Sequence, residues 1–237
     1  MLIDSKKCLG CGNCVPYCPA SSIVMGESTA EIVMDECVEC GVCRRVDVCP
    51  VGAIYQQPLE WPRSVRAIYS DPLNIHKETG LAGRGTEEIK TNDVTGRFKR
   101  GYAGIALELG RPGLGARLSD LEKLSMALAR YGVEFEPKNP LTNLIDRKTG
   151  ELPPEIRSEK VLSAIIEFAV ENEKLLEVLE IIKETAKSLD TVFSVDVACR
   201  ANVDGSWETE RILREAGIFY RPNAKINVGL GKPLMID

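Results

Sequence analysis

Histidine is nearly missing from this chain of 237 residues: His76 is the only one, and it lies far from most of the cysteines. That shortage speaks against zinc sites that mix Cys with His. No apolar run reaches the roughly 18 residues that a membrane-spanning helix needs. Met1 leads directly into "LIDSKKC", with no charged–apolar–small leader. The expectation is a cytoplasmic protein without membrane insertion. Basic residues are outnumbered, 30 Lys and Arg against 35 Asp and Glu, giving a net charge of −5 and a pI near 5.2. That balance excludes nucleic acid as the main partner, because a phosphate backbone requires a basic face. Neither GxGxxG nor GxxxxGK occurs, and "GLAGRGTEE" has no strand feeding it. No nucleophile–base pair stands out, so a non-catalytic role is the first expectation.

Cysteine is scarce after Cys49, where only Cys199 remains, and concentrated before it, with eight between Cys8 and Cys49. They fall in two copies of one plan, "CLGCGNCVPYCP" (Cys8 to Pro19) and "CVECGVCRRVDVCP" (Cys37 to Pro50). A disulfide framework is the reading for a secreted chain. The lack of an export signal, the tight x2 spacings and the long cysteine-poor remainder oppose it here. Zinc knuckles pair two cysteines from each of two distant loops, whereas here three follow one another at x2 spacing. Such a run with a later Cys-Pro is the spacing of cubane iron–sulfur clusters. The x2 loop wraps thiolates around successive iron corners, and the proline after the last cysteine turns the chain away.

On these motifs residues 1–57 resemble the bacterial-type two-[4Fe-4S] ferredoxin domain. The resemblance implies two [4Fe-4S] clusters with exchanged fourth ligands. One would take Cys8, Cys11, Cys14 and Cys49; the other would take Cys37, Cys40, Cys43 and Cys18. The internal repeat extends beyond cysteine, pairing Gly12 with Gly41 and Ile23 with Ile54. The second copy departs from the first by two extra residues between its last two cysteines, a stretch that begins with Arg44 and Arg45. In the cross-ligated arrangement these lie in the bridge between clusters and leave both gripping loops intact. The arginines are either solvated, as surface charges usually are, or close enough to favour a reduced cluster.

The rest of residues 1–57 reads as packaging. "MLID" and "AIYQQ" suit a pair of edge strands, and "SIVMGESTAEIVM" is a hairpin signal. Ile3, Ile23, Val33 and Ile54 are expected around the clusters, with Tyr17 and Tyr55 as lids. Residues 58–100 carry three prolines, four glycines and eight basic against six acidic residues. They read as an extended basic arm that packs on a partner or on the next domain, with His76 an ordinary loop side chain.

Residues 101–200 predict a second folded unit. "GYAGIALELG" alternates as a strand, and "RPGLGAR" is a turn. The helix "LSDLEKLSMALARYG" has Ser119 as N-cap, Glu122 completing a capping box and Gly132 past its end. "VEFEP" is a short strand, "EKVLSAIIEFAVE" a long one with a start that also suits a helix, "NEKLLEVLEIIKETAKSL" a helix and "DTVFSVDVAC" a closing strand holding Cys199 as a buried thiol. The order βαββαβ is the ferredoxin-like plait, a fold label independent of iron. Residues 201–237 offer a helix starting near Ser206 and a Gly/Pro/Asn-rich tail. The fold class is thus α+β: a ferredoxin domain, an arm and a plait.

The functional expectation is an electron-transfer iron–sulfur subunit. The ferredoxin head followed by "CPVGAI", a proline/aromatic stretch and a basic arm is similar to the iron–sulfur beta subunit of adenylylsulfate reductase. That similarity implies a hetero-oligomer with a FAD-containing flavoprotein oxidoreductase subunit, alongside a soluble electron donor or acceptor. The alternative is a redox- or ligand-sensing regulator whose plait binds a small molecule, with "GRPGLGAR" as its anion loop. A cluster with a purely structural duty is the third possibility.

Overall fold

The computed structural model describes residues 1–77, 80–83, 99–110 and 115–221. The first 57 residues contain β1 (Leu2–Ile3), β2 (Ile23–Met25), β3 (Ala30–Ile32), the one-turn helix α1 (Val42–Arg45) and β4 (Ile54–Tyr55). β1 pairs antiparallel with β4, so the two ends of this segment close on each other, and β2 pairs with β3 as the expected hairpin. Its turn is shut by the Gly26 amide donating to the Thr29 carbonyl at 2.8 Å. The core here is small: Met1, Ile23, Ala30 and Ile54 pack with Cys14, Cys37 and Cys43. So few apolar side chains cannot fill a domain interior by themselves.

Residues 58–77 differ from the expected extended arm. They turn into α2 (Ser64–Ile68), whose Val65, together with Tyr69 just beyond it, is buried in the core of the second unit. His76 is buried rather than an open loop side chain. Its ring lies 5.7 Å from that of Tyr69, and Nε2 is 2.9 Å from the Gly83 carbonyl.

The second unit contains β5 (Tyr102–Leu109), β6 (Ala116–Arg117), α3 (Leu118–Tyr131), β7 (Lys160–Val161), β8 (Ala164–Glu171), α4 (Leu175–Ala186), β9 (Phe193–Ala198) and α5 (Glu208–Glu215). Its sheet has the order β8-β5-β9, all antiparallel. Alternation decides which face is buried against the helices. Ile105, Leu107 and Leu109 of β5 and Ile166, Phe168 and Val170 of β8 meet Leu121, Leu124 and Leu128 of α3 and Leu175, Val178 and Ile182 of α4. The helical sets recur at three- and four-residue steps, which places each on one stripe. Together the helices, strands and loops make the chain a mixed α+β protein.

Three local expectations change. "VEFEP" contributes one bridge, Phe135 to Phe168, on the outer edge of β8, because the chain then turns into the short 3-10 segment Pro140–Asn143. The long strand breaks at Leu162 and Ser163, so β7 pairs with β6 while β8 pairs with β5. The capping box does not form. Arg117 holds the N-cap position, and the Glu122 carboxylate instead accepts from the Leu152 amide at 2.8 Å and pairs with Arg157. A tertiary loop supplies Glu122 with partners that the helix end would have left to water. Gly132 terminates α3 as expected, with φ +91°.

"GRPGLGAR" lies partly outside the described residues, since 111–114 are not among them, and so does the tail from 222. The helix expected near Ser206 is α5, starting at Glu208. Cys199 follows β9 and is half-buried, with Sγ 3.0 Å from Thr209 Oγ1. Among the described residues no helix is long and apolar enough to cross a membrane.

Candidate iron–sulfur site

The two copies of the cysteine plan fold alike because they need the same backbone conformations. Gly10 and Glu39, each two residues after the first cysteine of its copy, both adopt left-handed φ, +65° and +57°. Gly12 and Gly41 do the same at +72° and +69°. Each loop thereby curls around its interior, as left-handed positions in tight loops allow. At position 10 only glycine fits, since a Cβ there would come within 2.3 Å of the Ser28 carbonyl oxygen. At position 39 a glutamate carries the strain. Its buried carboxylate is held by the Met1 ammonium and by Arg63, whose Nε donates at 2.8 Å.

The two-residue difference between copies has a simple structural reading. Between Cys14 and Cys18 the chain makes a 3-10 turn, Val15–Tyr17. Between Cys43 and Cys49 it completes an α-helical turn, with the Arg45 amide donating to Gly41 and the Val46 amide to Val42. Asp47, at φ +50°, then reverses it. The extra residues are absorbed as helix, and the gripping loop is untouched.

The cysteines divide into two sets of four. Cys8, Cys11, Cys14 and Cys49 line one cavity, together with Ile3, Ala30 and Ile54. Cys18, Cys37, Cys40 and Cys43 line a second, with Met1, Ile23 and Ile32. Each copy thus sends its fourth cysteine to the other copy's cavity. Among the described residues no group of three or more His, Cys, Asp or Glu is placed to hold a metal ion directly. In a cubane each thiolate binds its own iron, so its ligands ring a space instead of meeting at a point.

Amides also face the sulfurs. Ser22 N donates to Cys18 Sγ and Ala53 N to Cys49 Sγ, both at 3.2 Å, the same four-residue step in each copy. Ala30 N lies 3.4 Å from Cys8 Sγ. Such bonds favour the thiolate. Burial works against it, raising the Cys14 and Cys40 thiols and pushing Cys43 up to about 11, with the nearby cysteines of its own set adding to the rise. Cys49 moves down. Burial pushes it up, but the amides of Ala53, Val51, Ile54 and Gly52 together outweigh that push. Two four-thiol sets, each ringing a cavity and with amides aimed at sulfur, fit iron–sulfur clusters as the bound groups.

Comparison with known proteins agrees. Residues 1–50 match the family described as the 4Fe-4S dicluster domain. The ferredoxin-like protein in the vnf region of Azotobacter vinelandii is 43% identical over 63 residues, covering 25% of this chain and 95% of the relative. The chain belongs to the ferredoxin family. Ferredoxin YfhL of Escherichia coli is 39% identical over 86 residues, 34% of this chain and 83% of that protein. Pyruvate synthase subunit PorD of Methanothermobacter marburgensis is 40% identical over 52 residues, 22% of this chain and 58% of its own length. No solved structure matches the chain. The ferredoxin segment is therefore an iron–sulfur electron-transfer domain, and most of the chain lies beyond the family match.

Around this ferredoxin segment some expected residues fall into place and others do not. Ile3, Ile23 and Ile54 line the cavities, whereas Val33 is exposed and lines neither. Tyr17 and Tyr55 are also exposed and line neither, so they are not lids. The arginine pair splits. Arg44 points into solvent, whereas Arg45 Nη2 donates to the Cys40 carbonyl at 2.6 Å and Nη1 pairs with Asp71 at 3.0 Å.

Sequence reasoning missed Arg66, a buried side chain on α2. Its guanidinium donates to the carbonyls of Asp35 at 2.7 Å, Cys37 at 2.8 Å and Met34 at 3.2 Å, and it pairs with Glu159. Nothing local marks it, since its partners stand 29 to 93 residues away. Glu39 did leave a signal: it occupies, in the second copy, the place of the obligatory Gly10. The same loop is tied to the second unit. Arg117 pairs with Asp35 at 2.5 Å and with Glu36 at 3.3 Å, Lys160 pairs with Glu36, and Leu162 packs on Ala20, Val38 and Cys40.

Proposed function

We propose that this chain is an electron-transfer subunit holding two [4Fe-4S] clusters, a first centre on Cys8, Cys11, Cys14 and Cys49 and a second on Cys37, Cys40, Cys43 and Cys18. The partition of the eight cysteines between two cavities, with Cys49 and Cys18 exchanged, carries this reading. When bound, such centres supply one-electron redox steps. The chain's own residues hold the thiols, aim amides at them and exclude water with Ile3, Ile23 and Ile54. The chain acts with an oxidoreductase partner instead of carrying out the chemistry itself.

The partner is a catalytic subunit, in our reading a FAD-containing flavoprotein, with a soluble donor or acceptor at the other end. Two similarities support a multisubunit setting. One is PorD, a pyruvate synthase subunit by name; the other is the resemblance to the adenylylsulfate reductase beta subunit. We further read residues 101–200 as a ferredoxin-like plait whose second strand is reduced to the Phe135 bridge. The order bridge-β8-β5-β9, antiparallel throughout, supports that reading. Residues 1–57 form the ferredoxin domain, 58–100 the connecting segment and 201–237 the C-terminal segment.

Anaerobic purification with iron and acid-labile sulfide analysis tests the centres. Eight of each is expected, and four would overturn the two-centre reading. Native pull-down with flavin analysis tests the partner. Stoichiometric flavoprotein supports it, whereas a homodimer stabilised by a small molecule would favour a regulator.

A further inference from the structure

The two cysteine sets sit in unequal surroundings. In the first, Cys11 is exposed, and Leu9 beside it is 66% exposed. In the second, Cys37, Cys40 and Cys43 are all buried, and Leu162 of the second unit closes over Val38 and Cys40. The charges differ as well. Guanidinium groups donate to the carbonyls of Cys40 (Arg45) and Cys37 (Arg66), while among the described residues no side-chain cation donates to a carbonyl of Cys8, Cys11, Cys14 or Cys49. Arg66 is almost fully buried, with its side chain 4% exposed, and so is poorly screened. Arg45 lies against the loop itself: a Cβ on Gly41 would meet its Nη1 at 2.5 Å, so glycine there is what lets the guanidinium approach. Their carboxylate partners are Asp71 for Arg45, and Glu159 together with Asp35 at 3.9 Å for Arg66. The loop carbonyls also meet the cations at hydrogen-bond distance.

We propose that Arg45 and Arg66 are positioning residues that make the second centre the more easily reduced of the two, and that the exposed rim of the first centre is where electrons enter and leave. The inference rests on the two-cluster reading above. Reduction adds one negative charge to a centre, and a nearby cation in a site of low dielectric constant stabilises that charge. Each one-electron step is balanced by an electron from, or to, the partner at the first centre.

Potentiometric titration followed by electron paramagnetic resonance tests it on the full-length protein with both centres loaded. Wild type should show two separate one-electron steps, and Cys11→Ser should alter the signal of the lower-potential one. Arg45→Gln and Arg66→Gln should each move the higher step down by about tenfold in the reduction equilibrium, about 59 mV for one electron. The lower step should stay in place, and Arg44→Gln should move neither. Because Arg66 is buried, Arg66→Lys guards against a folding failure by keeping the charge and should restore most of the potential. Equal potentials in wild type, a Cys11→Ser effect on the higher step, or arginine variants that leave the higher step unmoved would overturn the inference while eight irons per chain leave the two-centre reading standing. Four irons in wild type would overturn both.

Discussion

Gly10 offers a sharp test of how the first cysteine loop is built. Gly10 and Gly12 share left-handed backbone, at φ +65° and +72°. Alanine at either position therefore meets the same conformational cost, about 1–2 kcal/mol. They differ in space. A Cβ at position 12 has only Met25 Sδ near it, at 3.5 Å, an ordinary contact with a flexible side chain. A Cβ at position 10 would stand 2.3 Å from Ser28 O and 3.2 Å from Ser28 C, both backbone atoms of the hairpin turn. The turn must move by about 1 Å to restore van der Waals distance, and overpacking of this kind adds about 1–3 kcal/mol. The same hairpin carries the Ala30 amide that faces Cys8 Sγ, so its displacement also loosens a ligand. Gly12→Ala should lower the melting midpoint by a few degrees at about 2–4 °C per kcal/mol and keep its full iron content. Gly10→Ala should lose about twice as much stability and release iron from the first centre. Anaerobic iron analysis and thermal unfolding of the two variants side by side are the assay. Equal melting points and equal iron contents would refute the steric argument.

Further consequences can be measured with equal directness. Stripping iron with a chelator should unfold residues 1–57 and leave the second unit protected, because the first segment's interior is largely cysteine while the second has its own apolar core; hydrogen exchange showing loss of protection in both together would contradict this. Leu124→Ala, at a fully buried position on α3, should destabilise the second unit by about 2–5 kcal/mol without changing iron content at room temperature, as read by thermal unfolding and iron analysis. Reconstitution of iron-free protein should be more complete at higher pH. Burial raises Cys14, Cys40 and Cys43, the last to about 11, and iron binds the thiolate, so loading must release protons. Iron incorporated at pH 6.5 and pH 8.5 measures the effect, and equal yields would contradict it.

The arginine pair shows how far local pattern reaches. From sequence, Arg44 and Arg45 are neighbours with one shared fate, and in the fold one turn of helix sends them to different environments. Glu122 is similar. Its position fits a capping box, yet the amide of Leu152 and the guanidinium of Arg157, both about thirty residues on, claim its carboxylate. Val33 and Tyr55 read as apolar cover for the centres, yet Val33, just past the end of β3, and Tyr55, on β4, are both exposed. Period and composition indicate that a segment is a strand; its register against a partner fixes which residues face inward.

Sequence alone determined the chemistry of the site, because cluster-ligand spacing is a local property of short loops: eight cysteines, two copies, one Cys-Pro at the end of each. It also located the two long helices and the strands β5, β8 and β9 of the second unit, though not the break between β7 and β8 or the reduction of "VEFEP" to one bridge. Tertiary structure decided what surrounds each centre. Arg66 and Leu162 become neighbours of the second cysteine set, and the Glu39 carboxylate meets Met1 and Arg63, only when residues tens of positions apart are brought together. The asymmetry between an open and a covered cysteine set is therefore written in long-range contacts, which no local spacing can encode.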